Sequence, residues 1–119
     1  MQRKTSLTLK GQAKEKFEEL IYMASLQEMA GKTSSQEKQL LKSIMQKSEL
    51  LKMNPTAGNR IPRHLLPKGL DVSNLFKVNL CGYHRMVYTL DINAEEVAVF
   101  VLWIITHPEY DRIFGYRKR

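Results

Sequence analysis

The spacing of apolar residues changes partway along this 119-residue chain, and that change restricts the fold more than any other feature. In the first half, Phe17, Leu20, Ile21 and Ala24 recur at helical spacing, with Lys14, Glu15, Glu18 and Glu19 on the outer face. Gly31 is placed to stop that helix, and Ser34 followed by Glu37 predicts a capping box at the start of the next. Leu40, Leu41, Ile44, Ser48 and Leu51 form a second stripe that ends at Asn54-Pro55, where proline forbids continuation. Two amphipathic helices with a short polar join read as an antiparallel hairpin. In the second half the period becomes two. Leu75–Leu80 and Tyr83–Leu90 alternate, and Val97–Ile105 is apolar throughout, as expected of a central strand covered on both faces. Thr5, Leu7 and Leu9 predict a further short strand near the start.

Helices grouped ahead of strands predict an α+β fold, with the N-terminal helical hairpin packed on one face of a small antiparallel sheet. The connection from Asn54 to Asn74, broken by Pro55, Gly58, Pro62, Pro67 and Gly69, is long for a compact domain. It is therefore expected to be functional or to hide a short element.

Composition narrows the class. Hydrophobic residues make up 43% and charged residues 26%, so residues 1–119 are expected to form one globular domain. A single cysteine, Cys81, excludes a scaffold held by internal disulfides. The longest uninterrupted apolar run, Val97 to Ile105, has nine residues, far short of the roughly 20 that a bilayer requires. No hydrophobic segment follows the basic N-terminus, so a signal peptide and a membrane partner are not expected, and the location expected is cytoplasmic. The formal net charge of +7 points to an anionic partner, beyond the solubility that charge alone confers.

Metal or phosphate-loop chemistry finds no motif. His64, His84 and His107 are scattered, and no Cys pair, HExxH, Gly-rich loop or GxSxG is present. Neither metal nor cofactor is therefore expected. Strand parity places Lys77 and Asn79 opposite Phe76 and Val78, and Arg85 opposite His84, Met86 and Tyr88. If the apolar faces meet the helices, these three converge on the exposed face of the sheet. Cations on such a face can simply keep it soluble. The stretch Thr106-His107-Pro108-Glu109-Tyr110-Asp111-Arg112 adds a histidine, a tyrosine, two carboxylates and an arginine directly after the last strand. Histidine titrates near neutrality and a tyrosine hydroxyl donates or accepts a proton. The plainer reading is a helix start, with Thr106 as N-cap, Glu109 closing a capping box and Tyr110 on the core. The two readings are compatible.

At this point the sequence resembles the RelE/ParE superfamily of type II toxins. The resemblance runs from the helical hairpin through Leu75-Phe76-Lys77-Val78-Asn79-Leu80 and Gly82-Tyr83-His84-Arg85-Met86-Val87-Tyr88 to Thr106-His107-Pro108-Glu109-Tyr110-Asp111. The ending is similar to the HigB-like branch, whose members cleave mRNA on the ribosome. The resemblance implies a toxin with that fold, neutralised by a small, usually acidic antitoxin. It implies that Lys77 contacts or activates the RNA backbone, that Arg85 stabilises charge at the scissile phosphate, and that His107 and Tyr110 are the HigB-like pair. Two departures stand out. Asn79 takes the place of a second lysine, and Thr106-His107 stands where the best-known RelE members carry an arginine.

The expected activity is thus metal-independent cleavage of mRNA. Arg85 and Lys77 stabilise charge, His107 titrates, and Tyr110 donates a proton or orients. Arg63, Lys68, Asn79, Arg112, Arg117, Lys118 and Arg119 are expected to bind RNA. The alternatives are a ParE-like toxin that inhibits DNA gyrase without cutting, or an RNA-binding module of the same fold that has lost activity.

Overall fold

The computed structural model describes residues 3–115. Strand β1 (Lys4–Leu9) leads into helices α1 (Gly11–Met29) and α2 (Gln36–Met53). A two-residue strand β2 (Asn59–Arg60) and one 3-10 turn (Arg63–Leu65) follow. Strands β3 (Phe76–Asn79), β4 (His84–Ile92) and β5 (Glu96–Thr106) and helix α3 (His107–Ile113) complete the chain. The architecture is α+β. The long connection does hide short elements.

Gly31 ends α1 as its position predicts. It sits at φ 80, and Gly31 N–H and Lys32 N–H return to the carbonyls of Glu28 and Gln27, which satisfies carbonyls that the helix end would leave bare. The start of α2 falls one residue later than expected. Ser35, not Ser34, accepts from Lys38 N–H at 3.0 Å. Glu37 instead accepts from Gln27 Nε2 at 2.8 Å, so an α1 side chain takes up the carboxylate meant for the box.

The sheet order is β1-β5-β4-β3-β2. The strands from β2 to β5 pair antiparallel, but β1 runs parallel to β5, so the sheet is mixed rather than wholly antiparallel. The helical hairpin carries the chain out and back before β2, which opposes β1; the turns into β3, β4 and β5 then leave the last strand parallel to the first. The parity of turns decides this, and residue alternation does not record it. Beyond the end of β1, the side-chain amide of Gln12 stands in for a strand. Its Nε2 donates to Ile104 O at 3.0 Å and its Oε1 accepts from Ile104 N–H at 2.8 Å.

One face of the sheet packs on the hairpin through Phe76, Val78, Met86, Tyr88, Val99, Val101 and Ile104 against Ala13, Leu20, Leu40, Ile44 and Leu51. Tyr88 is fully buried there, with its hydroxyl donating to Pro55 O and accepting from Gly58 N–H. A Cβ at Gly58 would lie 2.7 Å from both Lys77 O and that hydroxyl, so only glycine lets the connection run this close.

The opposite face is not open from end to end, contrary to the sequence expectation. Ile61, Leu75, Val87, Ile105, Tyr110 and Phe114 form a second apolar cluster, joined by Leu65, Leu66, Leu70 and Trp103. The leucines of the irregular connection and α3 have apolar area to bury, and this face is where they bury it. The polar site lies beside that cluster. No helix of the described residues is long and apolar enough to cross a membrane.

Candidate functional site

Three elements, the neighbouring strands β3 and β4 and the later helix α3, deliver one cluster. Asn79 and Arg85 are partners across β3 and β4, so Lys77, two residues along β3, shares their face. Helix α3 then starts at the end of β5 and lays Tyr110 against that face. The Arg85 guanidinium lies 4.6 Å from the Tyr110 ring centroid and the Lys77 ammonium 5.0 Å from it. Phe114 supports the ring from within, at 4.7 Å between centroids. Cations over an aromatic face are attracted by its negative potential, so the buried ring positions both charges.

His107, the first residue of α3, closes the group. Arg85 Nε–H donates to His107 Nε2 at 3.1 Å, and Arg85 Nη2 lies 3.2 Å from His107 Nδ1. A neutral imidazole has one acceptor nitrogen, so one of these contacts at a time is a hydrogen bond. The helix that carries His107 is held at its start by the expected capping box. Thr106 N–H donates to Glu109 Oε1 at 2.8 Å and Glu109 N–H donates to Thr106 Oγ1 at 3.3 Å. His107 N–H also donates to Tyr83 O at 2.9 Å, which ties α3 to the turn before β4.

Partial burial holds the Lys77 ammonium below the ordinary lysine range, and the neighbouring Arg85 charge adds to this, against an opposing pull from Asp111. Two cations are thus kept close together with part of their hydration removed. An anion entering between them relieves that repulsion. Tyr110 is only 1% exposed, so its burial favours orienting the cations over reaching a substrate with its hydroxyl.

The remaining expected residues are distributed as follows. Asn79 is exposed beside Arg85 on the neighbouring strand. Arg63 and Lys68 are exposed on the connection that covers the second apolar cluster, and Arg112 is exposed on α3. Arg117, Lys118 and Arg119 lie outside the described residues. Among the described residues, no three His, Cys, Asp or Glu side chains gather as a metal site requires. His64 is exposed and His84 Nδ1 lies 2.9 Å from Gly82 O, so neither joins His107.

Sequence reasoning missed Tyr83 as part of this neighbourhood, and it gave Asp111, noted as one of two carboxylates, no role of its own. Tyr83 stands with its ring edge-on to His107, centroids 6.1 Å apart, and 82% exposed. The signal available was a glycine and an aromatic residue next to each other in a hairpin loop. Two depressions lie away from the cluster. One of about 450 Å³ is lined by Lys10, Asp71, Asp91 and Phe100, at the far end of the same sheet face. The other, of about 690 Å³, runs between α1, α2 and residues 81–84, and Tyr83 is part of its wall. No family model matches the chain, and no curated protein or solved structure matches it.

Proposed function

We propose that the chain is the toxin of a type II toxin–antitoxin pair, a metal-independent endoribonuclease that cleaves mRNA on the ribosome in the cytoplasm. The observation that carries this reading is the meeting of Arg85 and Lys77 over the Tyr110 ring, with His107 against the Arg85 guanidinium. It is supported by the resemblance of the strand and C-terminal segments to the HigB-like branch of the RelE/ParE superfamily. The exposed Tyr22, Leu26 and Met29 on α1 support a protein partner, and the +7 charge supports an acidic one, as an antitoxin would be.

In this reading the substrate's 2′-oxygen attacks the adjacent phosphorus. The new O2′–P bond forms as the P–O5′ bond breaks, giving a 2′,3′-cyclic phosphate and a 5′-hydroxyl. One proton leaves the 2′-hydroxyl and one is delivered to the 5′-oxygen. Arg85 and Lys77 face the extra negative charge of the phosphorane, which a pair of fixed, partly desolvated cations stabilises more than it stabilises the ground state. His107 is the group that carries a proton. Arg85 Nε–H occupies an imidazole nitrogen of His107. A phosphate that draws the guanidinium to itself releases that nitrogen, so substrate binding and activation of His107 are one event.

The test is purified protein in a translating extract, with wild type compared with Arg85→Ala and His107→Ala. Wild type is expected to leave mRNA fragments with 5′-hydroxyl ends, and both variants are expected to lose cleavage and growth arrest. Variants as active as wild type overturn the mechanism. Intact mRNA with inhibited supercoiling identifies a gyrase poison instead, and binding without cleavage identifies an inactive RNA-binding module.

A further inference from the structure

The turn between β3 and β4 has an unusual backbone for its sequence. Leu80 N–H donates to His84 O at 2.8 Å, which leaves Cys81, Gly82 and Tyr83 as the loop. Gly82 is at φ 65 and Tyr83 at φ 60, both left-handed. Glycine adopts that conformation at no steric cost, whereas a bulky side chain there is strained. Among the described residues, Tyr83 is the one non-glycine residue with positive φ. Such strain persists only where its surroundings enforce it, and it gathers where a side chain must point a particular way.

Here the surroundings enforce it from several sides. His107 N–H donates to the Tyr83 carbonyl, Cys81 N–H donates to Ser43 Oγ at 3.1 Å, and the His84 ring lies against the Gly82 carbonyl. The loop is fixed, yet the ring it presents is 82% exposed and shields no apolar core. That ring separates the His107 cluster on one side from the 690 Å³ depression on the other. The depression has apolar Leu20, Met23 and Leu40 in its lining, with Lys16, Gln36 and Gln39 and the carboxylates of Glu19 and Glu37 as polar groups, so the nucleic-acid backbone belongs on the His107 side of the ring.

We propose that Tyr83 is a stacking platform for the base of a nucleotide flanking the scissile phosphate, and that it selects RNA unpaired at that point. This rests on the endoribonuclease reading given above and deepens it. An exposed aromatic ring stacks on any base, because every base offers a π face, and duplex pairing hides those faces from it. A platform already locked by its backbone loses little freedom on binding. The left-handed backbone at Tyr83 accompanies a ring that stands edge-on to His107, beside the site proposed for the phosphate.

Binding is measured by anisotropy with a labelled single-stranded oligonucleotide of 2′-O-methyl RNA, which cannot be cleaved, and cleavage is measured separately. Tyr83→Gly removes the ring and relieves the left-handed strain. It is expected to keep or raise the melting temperature, weaken binding about tenfold to a hundredfold, and raise KM while kcat stays near wild type. Tyr83→Phe is expected to bind as wild type does. An oligonucleotide without the flanking base is expected to bind wild type as weakly as Tyr83→Gly binds the intact one. Binding and KM unchanged in Tyr83→Gly, in a wild type that cleaves RNA, overturn the platform and leave the endoribonuclease reading standing. A wild type that leaves mRNA uncut in the translating extract overturns both.

Discussion

Arg85 makes demands at once that no other side chain meets. Its Nε–H reaches one imidazole nitrogen of His107, a second guanidinium nitrogen lies beside the other, and its Cζ lies over the Tyr110 ring. Lysine keeps the charge but has neither the fork nor the flat face. Arg85→Lys is therefore expected to lose about a hundredfold to a thousandfold in kcat, the scale of one lost charge-stabilising donor, with KM changed far less. A single-turnover assay of RNA cleavage checks this, and a lysine variant within a few-fold of wild type would show that charge alone suffices. At this scale much of the site was legible. Parity along β3 and β4 put Lys77 and Arg85 on one face, because side chains alternate strictly where the ladder is regular. The strain at Tyr83 was not legible, since nothing in a residue's identity states its φ when tyrosine stands where glycine or asparagine is expected.

Elements were legible where a local rule fixes them and illegible where a distant partner does. The α3 capping box needs only Thr106 and Glu109, and it forms as expected. The α2 start needs Gln27 from another helix, and it shifts by one residue. Strand β5 holds a third case. A bulge opposite Val87 and Tyr88 inserts one residue, so Val99 and Val101 face the hairpin and then Ile104 does. A run apolar on both faces conceals such a slip. The capping box also links α3 to pH. The backbone N–H of Thr106 is the main cause that holds the Glu109 carboxyl below the ordinary carboxylate range, against partial burial, with the Thr106 hydroxyl and the Arg112 and Lys16 charges adding. A carboxyl with a lowered folded-state pKa contributes stability above its unfolded value of about 4.3, and that contribution is lost as pH falls through the lower folded value. The stability difference between wild type and Glu109→Ala in urea unfolding is thus expected to be full near neutrality and to narrow below about pH 4. Thr106→Ala is expected to cost about 1 kcal/mol. A Glu109→Ala difference of equal size at pH 3 and pH 7 would show that the carboxylate does not hold the box.

The whole molecule is asymmetric about its sheet, and this decides where a polyanion can settle. The hairpin side carries both signs of charge closely mixed, with Lys16–Glu19, Lys38–Glu28 and Lys52–Glu49 paired on it. On the side of α3 and the long connection, Arg63, Lys68 and Arg85 make no ion pair among the described residues. Composition gave the excess of cations but not this division, because both halves of the chain carry similar charge and only the fold sorts them onto faces. If RNA crosses the α3 side, each cation that meets a phosphate releases condensed counterions. The slope of log affinity against log salt then steepens by about 0.7 for each phosphate neutralised on a single strand. Arg63→Ala and Lys68→Ala are each expected to flatten that slope by about 0.7 and to weaken binding to all sequences alike. Lys42→Ala, an exposed change on the hairpin side, is expected to leave the slope unchanged although it removes the same formal charge. The comparison separates a docked strand from diffuse attraction, for which the position of a lost charge matters little. Equal flattening by all three variants would mean that net charge governs binding and that the strand does not follow the face bearing Arg85.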